Sequence, residues 1–333
     1  MTGKTCLAVV NASNDELMAS SSGGAFSLMA RDVLTRGGVI YGHAFVTPTK
    51  VECVRVDDVS DLPRLRGSKY VQSDMGTAMR DVLADLRMGR EVLFSGTPCH
   101  VAGLRALLDA RKVSADRLLL VDIVCHGVPS PEFFRDCMEW EARGGRLDEV
   151  RFRDKREGWG CGGGTTTTTT PIFHRLVTRN RAFSPRTSYY YERFLAGDVY
   201  RESCYRCPYA GGPRPGDVTL GDFWGIDHEA AGVSPRRGIS LVITNTAKGK
   251  EAVQAIKDVS RWVERPLEEA IAGNDQLCHP TPRTAARDEV LKDWKARGIT
   301  SLELEYRRKT AWERRTWLTK RAVKKLLKGV LRR

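Results

Sequence analysis

Residues 91–127 read EVLFSGTPCHVAGLRALLDARKVSADRLLLVDIVCHG, and this stretch decides the fold. Apolar runs in REVLFSG (90–96) and RLLLVDIVCHG (117–127) predict two strands, and VAGLRALLDA (101–110) predicts a helix between them. A strand, a helix and a strand in about 35 residues form a βαβ unit, which makes the two strands parallel. Such crossovers are right-handed, so both strands end at the same edge of the sheet. We therefore expect an α/β protein whose mixed sheet has a parallel βαβ core.

A cysteine follows each of these two strand ends. Cys99 and Cys125 should lie together at the carboxyl edge of the sheet, where α/β proteins bind ligands. A second pair, Cys204 and Cys207, has the CxxC spacing that lets two sulfurs bind one metal ion or cluster. Four thiols are the usual set for a [4Fe-4S] cluster or a zinc ion. A redox dithiol at the CxxC, with Cys99 and Cys125 as buried strand-end residues, is the alternative.

Composition narrows the class of protein. The chain has 333 residues, 41% of them hydrophobic, which is enough for one large domain or two ordinary ones. Its nine cysteines are too few for a disulfide scaffold, so their close spacing indicates metal or redox chemistry. No apolar run is long enough to cross a bilayer, and the N-terminal sequence lacks the layout of a signal peptide. We expect a cytoplasmic protein.

The positive charge is concentrated in the C-terminal tail. Residues 301–333 hold twelve Lys or Arg and three Glu, or +9 of the net +13, so the other 300 residues carry only +4. We therefore expect no nucleic-acid partner. The apolar tail residues share roughly one helical face and suit an anionic membrane surface at the inner face of a membrane, or an acidic partner. A solvated helix docked on its own domain is the alternative. These residues are Trp312, Leu318, Val323, Leu326, Leu327 and Val330.

Three further motifs are candidates for cofactor binding. SSSGGAF (20–26) opens a predicted helix, where serines can cap the first amides and glycines let an anion approach. RGSKY (66–70) offers Lys69 to a phosphate and Tyr70 as a stacking surface. GDVTLGDFWG (216–225) places Asp222 beside two aromatic residues, an arrangement that could orient a ring. An ordinary helix start, a surface loop and a packed turn are the respective alternatives.

Eight motifs, in order over about residues 5–245, resemble the coenzyme F-420 hydrogenase/dehydrogenase beta-subunit family. They are SSSGGAFSLMARDVL, GGVIYGHAF, LRGSKYVQSD, VLFSGTPCHVAGL, VDIVCHGVPSP, VRFRDKREGW, SCYRCPYA and DVTLGDFWGI. The resemblance implies an iron-sulfur flavoprotein oxidoreductase that relays electrons between a [4Fe-4S] cluster, FAD and a two-electron acceptor such as coenzyme F-420. It assigns four cluster ligands: Cys99, Cys125, Cys204 and Cys207. The expected cofactor-binding residues are Ser21, Ser22, Gly23, Gly24, Ser68, Lys69, Tyr70, Thr97 and Asp222.

The sequence also departs from that family. His100 stands where relatives often have Gln. Many bacterial relatives carry a ferredoxin domain ahead of this region; no such cysteine pattern occurs here, so we expect a separate ferredoxin or another redox subunit as partner. Such relatives are often encoded among surface-polysaccharide genes, which suggests a link to that biosynthesis. GCGGGTTTTTTPIF (160–173) replaces a more ordinary segment, and we expect an edge strand or flexible loop there.

These expectations divide the chain into three segments. Residues 1–78 form the N-terminal region of the family, 79–246 its C-terminal iron-sulfur and flavin region, which is rich in loops, and 247–333 a helical, basic extension. Two other classes stay open beside the oxidoreductase. One is a non-catalytic electron-transfer subunit of a complex, and the other is a zinc-bound structural or interaction protein.

Overall fold

The computed structural model describes residues 4–155, 158–159, 164–172, 175–184 and 186–330. Its strands are β1 (Thr5–Asn11), β2 (Val39–Thr47), β3 (Lys50–Val56), β4 (Val92–Gly96), β5 (Leu118–Ile123), β6 (Arg146–Arg151), β7 (Gly164–Ile172), β8 (Arg175–Phe183), β9 (Val218–Asp222), β10 (Ser240–Thr244) and β11 (Ser260–Glu264). Its α-helices are α1 (Asn14–Ala19), α2 (Ala25–Thr35), α3 (Ala78–Arg87), α4 (Pro98–Arg111), α5 (Pro131–Ala142), α6 (Tyr189–Ala196), α7 (Ala247–Gln254), α8 (Leu267–Ala272), α9 (Ala286–Lys309) and α10 (Ala311–Val330).

The main sheet has eight strands in the order β11-β1-β10-β9-β5-β4-β2-β3. Within it β2, β4, β5 and β9 are parallel neighbours, and β10 is antiparallel to both β9 and β1. The predicted α/β class with a parallel βαβ core is therefore confirmed. Strands β1, β2, β4, β5 and β9 run in one direction, so their carboxyl ends share one edge of the sheet.

Side-chain alternation along the central strands builds an apolar core on each face of this sheet. In β4, Val92 and Phe94 pack with α3 and α4, whereas Leu93 packs with α2 and α7 on the other face. In β5, Leu120 and Val121 divide between the two faces in the same way. Because helices cover both faces, the open edge at the strand ends is where a ligand can reach the sheet.

The oligo-threonine segment differs from its prediction. Within the described residues, β7 is the middle strand of an antiparallel sheet, β6-β7-β8, and not an edge strand or loop. Threonine suits this position because its branched side chain packs well on a pleated surface. The hydroxyl groups also find partners: Thr169 donates to Asp148 at 2.6 Å and Thr167 to Asn180 at 2.9 Å.

The C-terminal part is helical, as predicted, apart from one strand. Residues after 257 were expected to be helical, but β11 adds to the edge of the main sheet by pairing with β1. Its sequence, SRWVE, is short and mostly polar, so it carries little of the apolar pattern of a strand.

Helix α9 is interrupted at Gly298, where φ is +70°. None of the described helices is both long enough and apolar enough to span a membrane.

Candidate cofactor site

A cavity of about 630 Å³ opens at the carboxyl edge of the main sheet. This volume lies within the usual range of ligand-binding pockets. All but one of the predicted site residues line the cavity: Ser21, Ser22, Gly24, Ser68, Lys69, Tyr70, Thr97, Cys99, Cys125, Cys204, Cys207 and Asp222. The structure thus gathers residues that are up to 200 positions apart in the sequence.

Gly23 is the predicted residue that does not line the cavity. A Cβ atom there would lie 2.0 Å from the Val9 carbonyl oxygen and 2.4 Å from the Ser240 nitrogen. Gly23 therefore lets the serine loop, residues 20–24, rest directly on the backbone of β1 and β10. The loop is held at the sheet edge by this close approach.

We expected the serines to cap α2, but they do not. Gly24, at a φ of +86°, is the N-cap residue of α2, and no side-chain hydrogen bond caps the helix there. Ser22 Oγ instead donates to the Ile239 carbonyl at 2.7 Å. The first amide of α2, that of Ala25, donates to Ser240 Oγ at 3.4 Å. The side chains of the serine loop do not cap this first turn, and a helix N-terminus favours an anion.

The buried ammonium group of Lys155 anchors the serine loop through hydrogen bonds to backbone carbonyl groups. Its ammonium group donates to the carbonyl oxygens of Leu17, Ser22 at 2.7 Å and Arg237 at 2.8 Å. These three acceptors use all three of its donors, and burial lowers the pKa of Lys155 to about 8. One buried cation thus ties the loop to two other segments of the chain.

The two predicted FAD-binding loops meet in the structure. Ser68 Oγ donates to Ser21 Oγ at 2.9 Å. Lys69 lies beside them, and its ammonium group donates to the Leu65 carbonyl at 2.9 Å and the Arg66 carbonyl at 2.8 Å. Burial lowers the pKa of Lys69 to about 7. The cavity wall therefore holds a cation that donates to backbone carbonyl groups.

Asp222 acts through its neighbours. One of its carboxylate oxygens accepts from Arg153 at 2.8 Å, and the other accepts from the indole of Trp159 at 3.1 Å. The same Arg153 guanidinium donates to the Tyr70 hydroxyl at 3.3 Å. Asp222 thus orients Arg153 along the cavity wall.

The sequence analysis did not identify Arg153 and His43 as polar residues of the cavity. It noted His100 but did not predict a role for it there. Arg153 Nη2, His43 Nε2 and His100 Nδ1 are buried and have no hydrogen-bond partner among the described residues. The imidazole centroids of His43 and His100 lie 5.4 Å apart. Burial lowers the pKa of His43 to about 3, so its imidazole is neutral. Arg153 and His43 lie in motifs VRFRDKREGW and GGVIYGHAF, but their buried, unpaired atoms cannot be read from sequence.

The four predicted cluster cysteines converge at the cavity wall. Cys99 lies in the first turn of α4, which begins earlier than predicted, and Cys125 follows β5. Burial, with smaller contributions from the thiols of Cys204, Cys99 and Cys207, raises the pKa of Cys125 to about 12. Among the described residues, no three His, Cys, Asp or Glu side chains are grouped as ligands of a metal ion. A [4Fe-4S] cluster holds each thiolate on a different iron and so needs a wider set.

Backbone N–H groups donate to two of these sulfurs, and a hydroxyl group lies within hydrogen-bond distance of a third. The backbone N–H of Gly127 lowers the pKa of Cys125 against the effect of burial, and that of Val128 does the same for Cys204. The Thr97 hydroxyl lies 3.1 Å from Cys99 Sγ. Such hydrogen bonds favour the thiolate form, and around a metal cluster they adjust its reduction potential.

The CxxC loop is fastened to the strand ends at two places. The Arg201 N–H donates to the Val128 carbonyl at 3.0 Å, just after Cys125. Farther along, Arg214 forms an ion pair with Asp122 at 2.5 Å, where the side chains are 6% and 0% exposed. These contacts bring Cys204 and Cys207 to the edge where β5 ends.

Loss of the buried ion pair should destabilise the fold. We expect Arg214→Met to lower the free energy of unfolding by about 3–5 kcal/mol, because it leaves the Asp122 carboxylate buried without its cation. Urea unfolding followed by circular dichroism measures this. Arg111→Met, at the exposed end of α4, is the matched control and should change stability by less than about 0.5 kcal/mol. Equal effects of the two substitutions would contradict the anchoring role of Arg214.

Comparison with known proteins connects this site to a family. No curated protein matches the chain. In a solved structure of the F420-reducing [NiFe] hydrogenase complex from Methanosarcina barkeri, one chain shares the fold with a TM-score of 0.55 and 17% sequence identity, over 89% of this chain and 94% of that one. A family model that describes the C terminus of the beta subunit in coenzyme F420 hydrogenase/dehydrogenase matches residues 89–270. Since this match covers more than half of the chain, the protein belongs to the coenzyme F420 hydrogenase/dehydrogenase beta-subunit family.

Proposed function

We propose that this protein is an iron-sulfur flavoprotein oxidoreductase. A [4Fe-4S] cluster and FAD would relay electrons to or from a two-electron acceptor such as coenzyme F-420. The observation that carries the proposal is that four cysteines line the same cavity as the serine loop and the Lys69 loop. A cluster at one part of the wall and a flavin at another would then share one enclosed space.

The residues present fit a cluster. The four thiols line one cavity, and those of Cys99, Cys204 and Cys207 lie close enough to Cys125 to influence its pKa. Backbone N–H groups favour the thiolate forms of Cys125 and Cys204. Cys99 lies at the N-terminal end of α4, and the Thr97 hydroxyl oxygen lies 3.1 Å from its sulfur. Because burial holds Cys125 protonated, its binding to iron would release a proton. We therefore assign Cys99, Cys125, Cys204 and Cys207 as the cluster ligands.

The residues also fit an anionic dinucleotide. The N-terminus of α2, whose N-cap residue Gly24 offers no side chain, and the buried ammonium of Lys69 are both suited to phosphate oxygens. Arg153, His43 and His100 bring unpaired donors or acceptors that a heterocycle could satisfy. Bound flavin exchanges electrons singly or in pairs, so it connects a one-electron cluster with a two-electron acceptor.

The acceptor and the partner complete the proposal. A second cavity of about 410 Å³ shares His126 and Trp224 with the first and offers room for a small acceptor. We propose a ferredoxin or another redox subunit as the electron-transfer partner and a cytoplasmic location. The link to surface-polysaccharide biosynthesis stays a prediction from the resemblance, as does the three-segment division of the chain. The main sheet draws strands from all three segments.

Two other functions remain to be distinguished. An electron-transfer subunit without its own substrate would bind the same cofactors, but the isolated chain would not turn over coenzyme F-420 or a nicotinamide. A zinc-bound interaction protein would use the same cysteines without any flavin. Metal and flavin content separates the second alternative from the proposal directly.

Anaerobic purification should yield a brown protein that contains about four iron and four sulfide per chain, together with FAD. We expect Cys204→Ala to lose most of the iron, because the remaining three thiolates hold the cluster weakly. Iron, sulfide and flavin analyses with the visible spectrum measure this. One zinc per chain and no flavin would establish the structural alternative instead.

The matched control for that substitution is Cys278→Ala. Cys278 is exposed and does not line the cavity, so its removal should leave the iron content unchanged. Full iron in Cys204→Ala would remove Cys204 from the ligand set. Iron loss in Cys278→Ala would show that the assignment of four ligands is incomplete.

Lys69 should make FAD binding dependent on pH. Its pKa in the folded protein is about 7, below its ordinary value, so it loses its proton as the pH rises through 7. Because FAD phosphates prefer the protonated ammonium, the affinity of the native protein for FAD should fall between about pH 6 and pH 9. Lys69→Met should bind about tenfold more weakly at pH 6 and vary less with pH.

Equilibrium dialysis of flavin-stripped protein against FAD measures both effects. Lys250→Met, on the exposed side of α7, is the control and should retain the pH dependence. An unchanged pH profile in Lys69→Met would show that Lys69 does not contact the FAD phosphates. Iron content would be measured in parallel, because it reports on the cysteines separately.

We also propose that α10 contacts an anionic membrane surface. Trp312 and Val323 lie on the same side of this helix, because they are eleven positions apart, and they are 77% and 49% exposed. The side chains of Leu326, Leu327 and Val330 lie outside the described part of the chain. The basic residues of the tail supply the attraction to anionic lipids. We expect Trp312→Ser/Val323→Ser to weaken binding to vesicles with anionic lipid by about tenfold.

Vesicle sedimentation of the full chain measures this affinity. Met88→Ser removes a similarly exposed apolar side chain from the end of α3 and is the control. It should bind vesicles like the native protein. If the double substitution binds as well as Met88→Ser does, α10 is a solvated helix that does not use these side chains on a membrane.

A further inference from the structure

A small cavity that shares no lining residue with the cysteine-lined cavity has no role in the proposed redox function. It has a volume of about 50 Å³ and lies where α10 meets β8 and the end of α5. Its charged lining residues are Glu141, Arg143, Arg181 and Arg314. We call this cavity the arginine pocket. Trp317 and Leu318 of α10 cover one side of it.

Positive charge is in excess around the arginine pocket. Arg307, on α9, adds a fourth guanidinium and lies 3.5 Å from the Glu141 carboxylate and 3.9 Å from that of Glu303. Four arginines therefore stand against two glutamates. Burial raises the pKa of both carboxyl groups, that of Glu303 to about 8, so at neutral pH the compensation is less than two charges.

The guanidinium groups also lack hydrogen-bond partners. Arg181 Nη1 and Arg314 Nη1 are buried, and no described residue accepts a hydrogen bond from them. Arg307 Nε and Nη2 are ion-paired with the two glutamates but make no hydrogen bond within the described residues. Glu141 Oε1, which lines the same pocket, and both carboxyl oxygens of Glu303 are likewise without a hydrogen-bond partner among the described residues. A buried donor without an acceptor costs about 1–3 kcal/mol. Several such donors beside one cavity indicate that an acceptor from outside the chain belongs there.

Neighbouring charges show that the arginines affect one another. Burial and the nearby Arg143 lower the pKa of Arg181, and burial together with Arg314 and Arg143 has the same effect on Arg307. Guanidinium groups from α9, α10, β8 and the end of α5 are thus held together against their repulsion. An anion would offset this repulsion and satisfy the free donors at the same time.

We propose that the arginine pocket binds a phosphate-class oxyanion. Planar guanidinium groups present paired N–H donors that match phosphate oxygens, and the pocket is larger than the about 30 Å³ of a single water molecule. The ligand could be inorganic phosphate or a small phosphate monoester, or the phosphate of an anionic lipid headgroup. The proposal does not depend on the redox function, because it concerns a different part of the molecule.

Titration calorimetry with inorganic phosphate tests the site on the full chain. We expect saturable binding to the native protein, weakened about tenfold or more in both Arg314→Gln and Arg181→Gln. The two residues lie on different elements, so a folding defect in one variant leaves the other as a test. Arg315→Gln is the matched control: it is exposed, adjacent to Arg314 on α10 and outside the pocket. Thermal melting of each variant checks that it is folded.

Vesicle binding then separates the two sources of phosphate. Vesicles of phosphatidylcholine with phosphatidic acid are compared with vesicles that contain phosphatidylserine at equal charge. If Arg314→Gln loses phosphate binding and also any preference for phosphatidic acid, a lipid phosphate is the ligand. If it loses phosphate binding but binds vesicles like Arg315→Gln, the ligand is a free phosphate. Absence of saturable phosphate binding, or equal affinity in Arg314→Gln, Arg181→Gln and Arg315→Gln, would overturn the proposal.

Discussion

The buried ion pair between Asp122 and Arg214 joins the two parts of the chain that carry the candidate cluster cysteines. Asp122 is the penultimate residue of β5 and is fully buried, and it also accepts a hydrogen bond from the Gly216 N–H at 2.7 Å. A buried pair is stabilising only when its remaining hydrogen-bonding groups are satisfied, and here they are drawn from the loop after the CxxC. The convergence of Cys125 with Cys204 and Cys207 depends on this attachment.

The charge along the wall of the large cavity depends on which charged side chains lack an oppositely charged neighbour. Lys69 and Lys155 are both held by carbonyl groups, and the Asp222 carboxylate beside Arg153 is shared with Trp159. His43 is neutral because burial disfavours its charged form. The wall is thus cationic where the loops meet and thiol-rich near the strand ends. This division suits an anionic cofactor beside a metal cluster, and it arises from backbone acceptors that no side-chain pattern encodes.

Much of this arrangement could be predicted from sequence where the signal was local. Periodicity placed β4, α4 and β5, and the topology rule then placed Cys99 and Cys125 at one edge. The roles of Asp222 and Ser22 could not be predicted, because their partners, Arg153 and Ile239, lie 69 and 217 positions away. Likewise, β11 forms because it can pair with β1 at the edge of the sheet, and β7 forms a central strand because β6 and β8 pair with it on both sides. The sequences of β11 and β7 alone indicate neither position.

The pairing of β1 with late strands also determines how early the cavity can form while the ribosome synthesises the chain. Leu7 pairs with Val242 and with Glu264, so the first strand waits for partners more than 230 residues later. Contacts of such long range form late and slowly. The serine loop rests on β1 and β10, and its position is therefore undefined until β10 has left the ribosome. A nascent chain would expose Cys99 and Cys125 well before the wall that encloses them is complete, so the cofactors proposed above would enter only after this sheet has been translated.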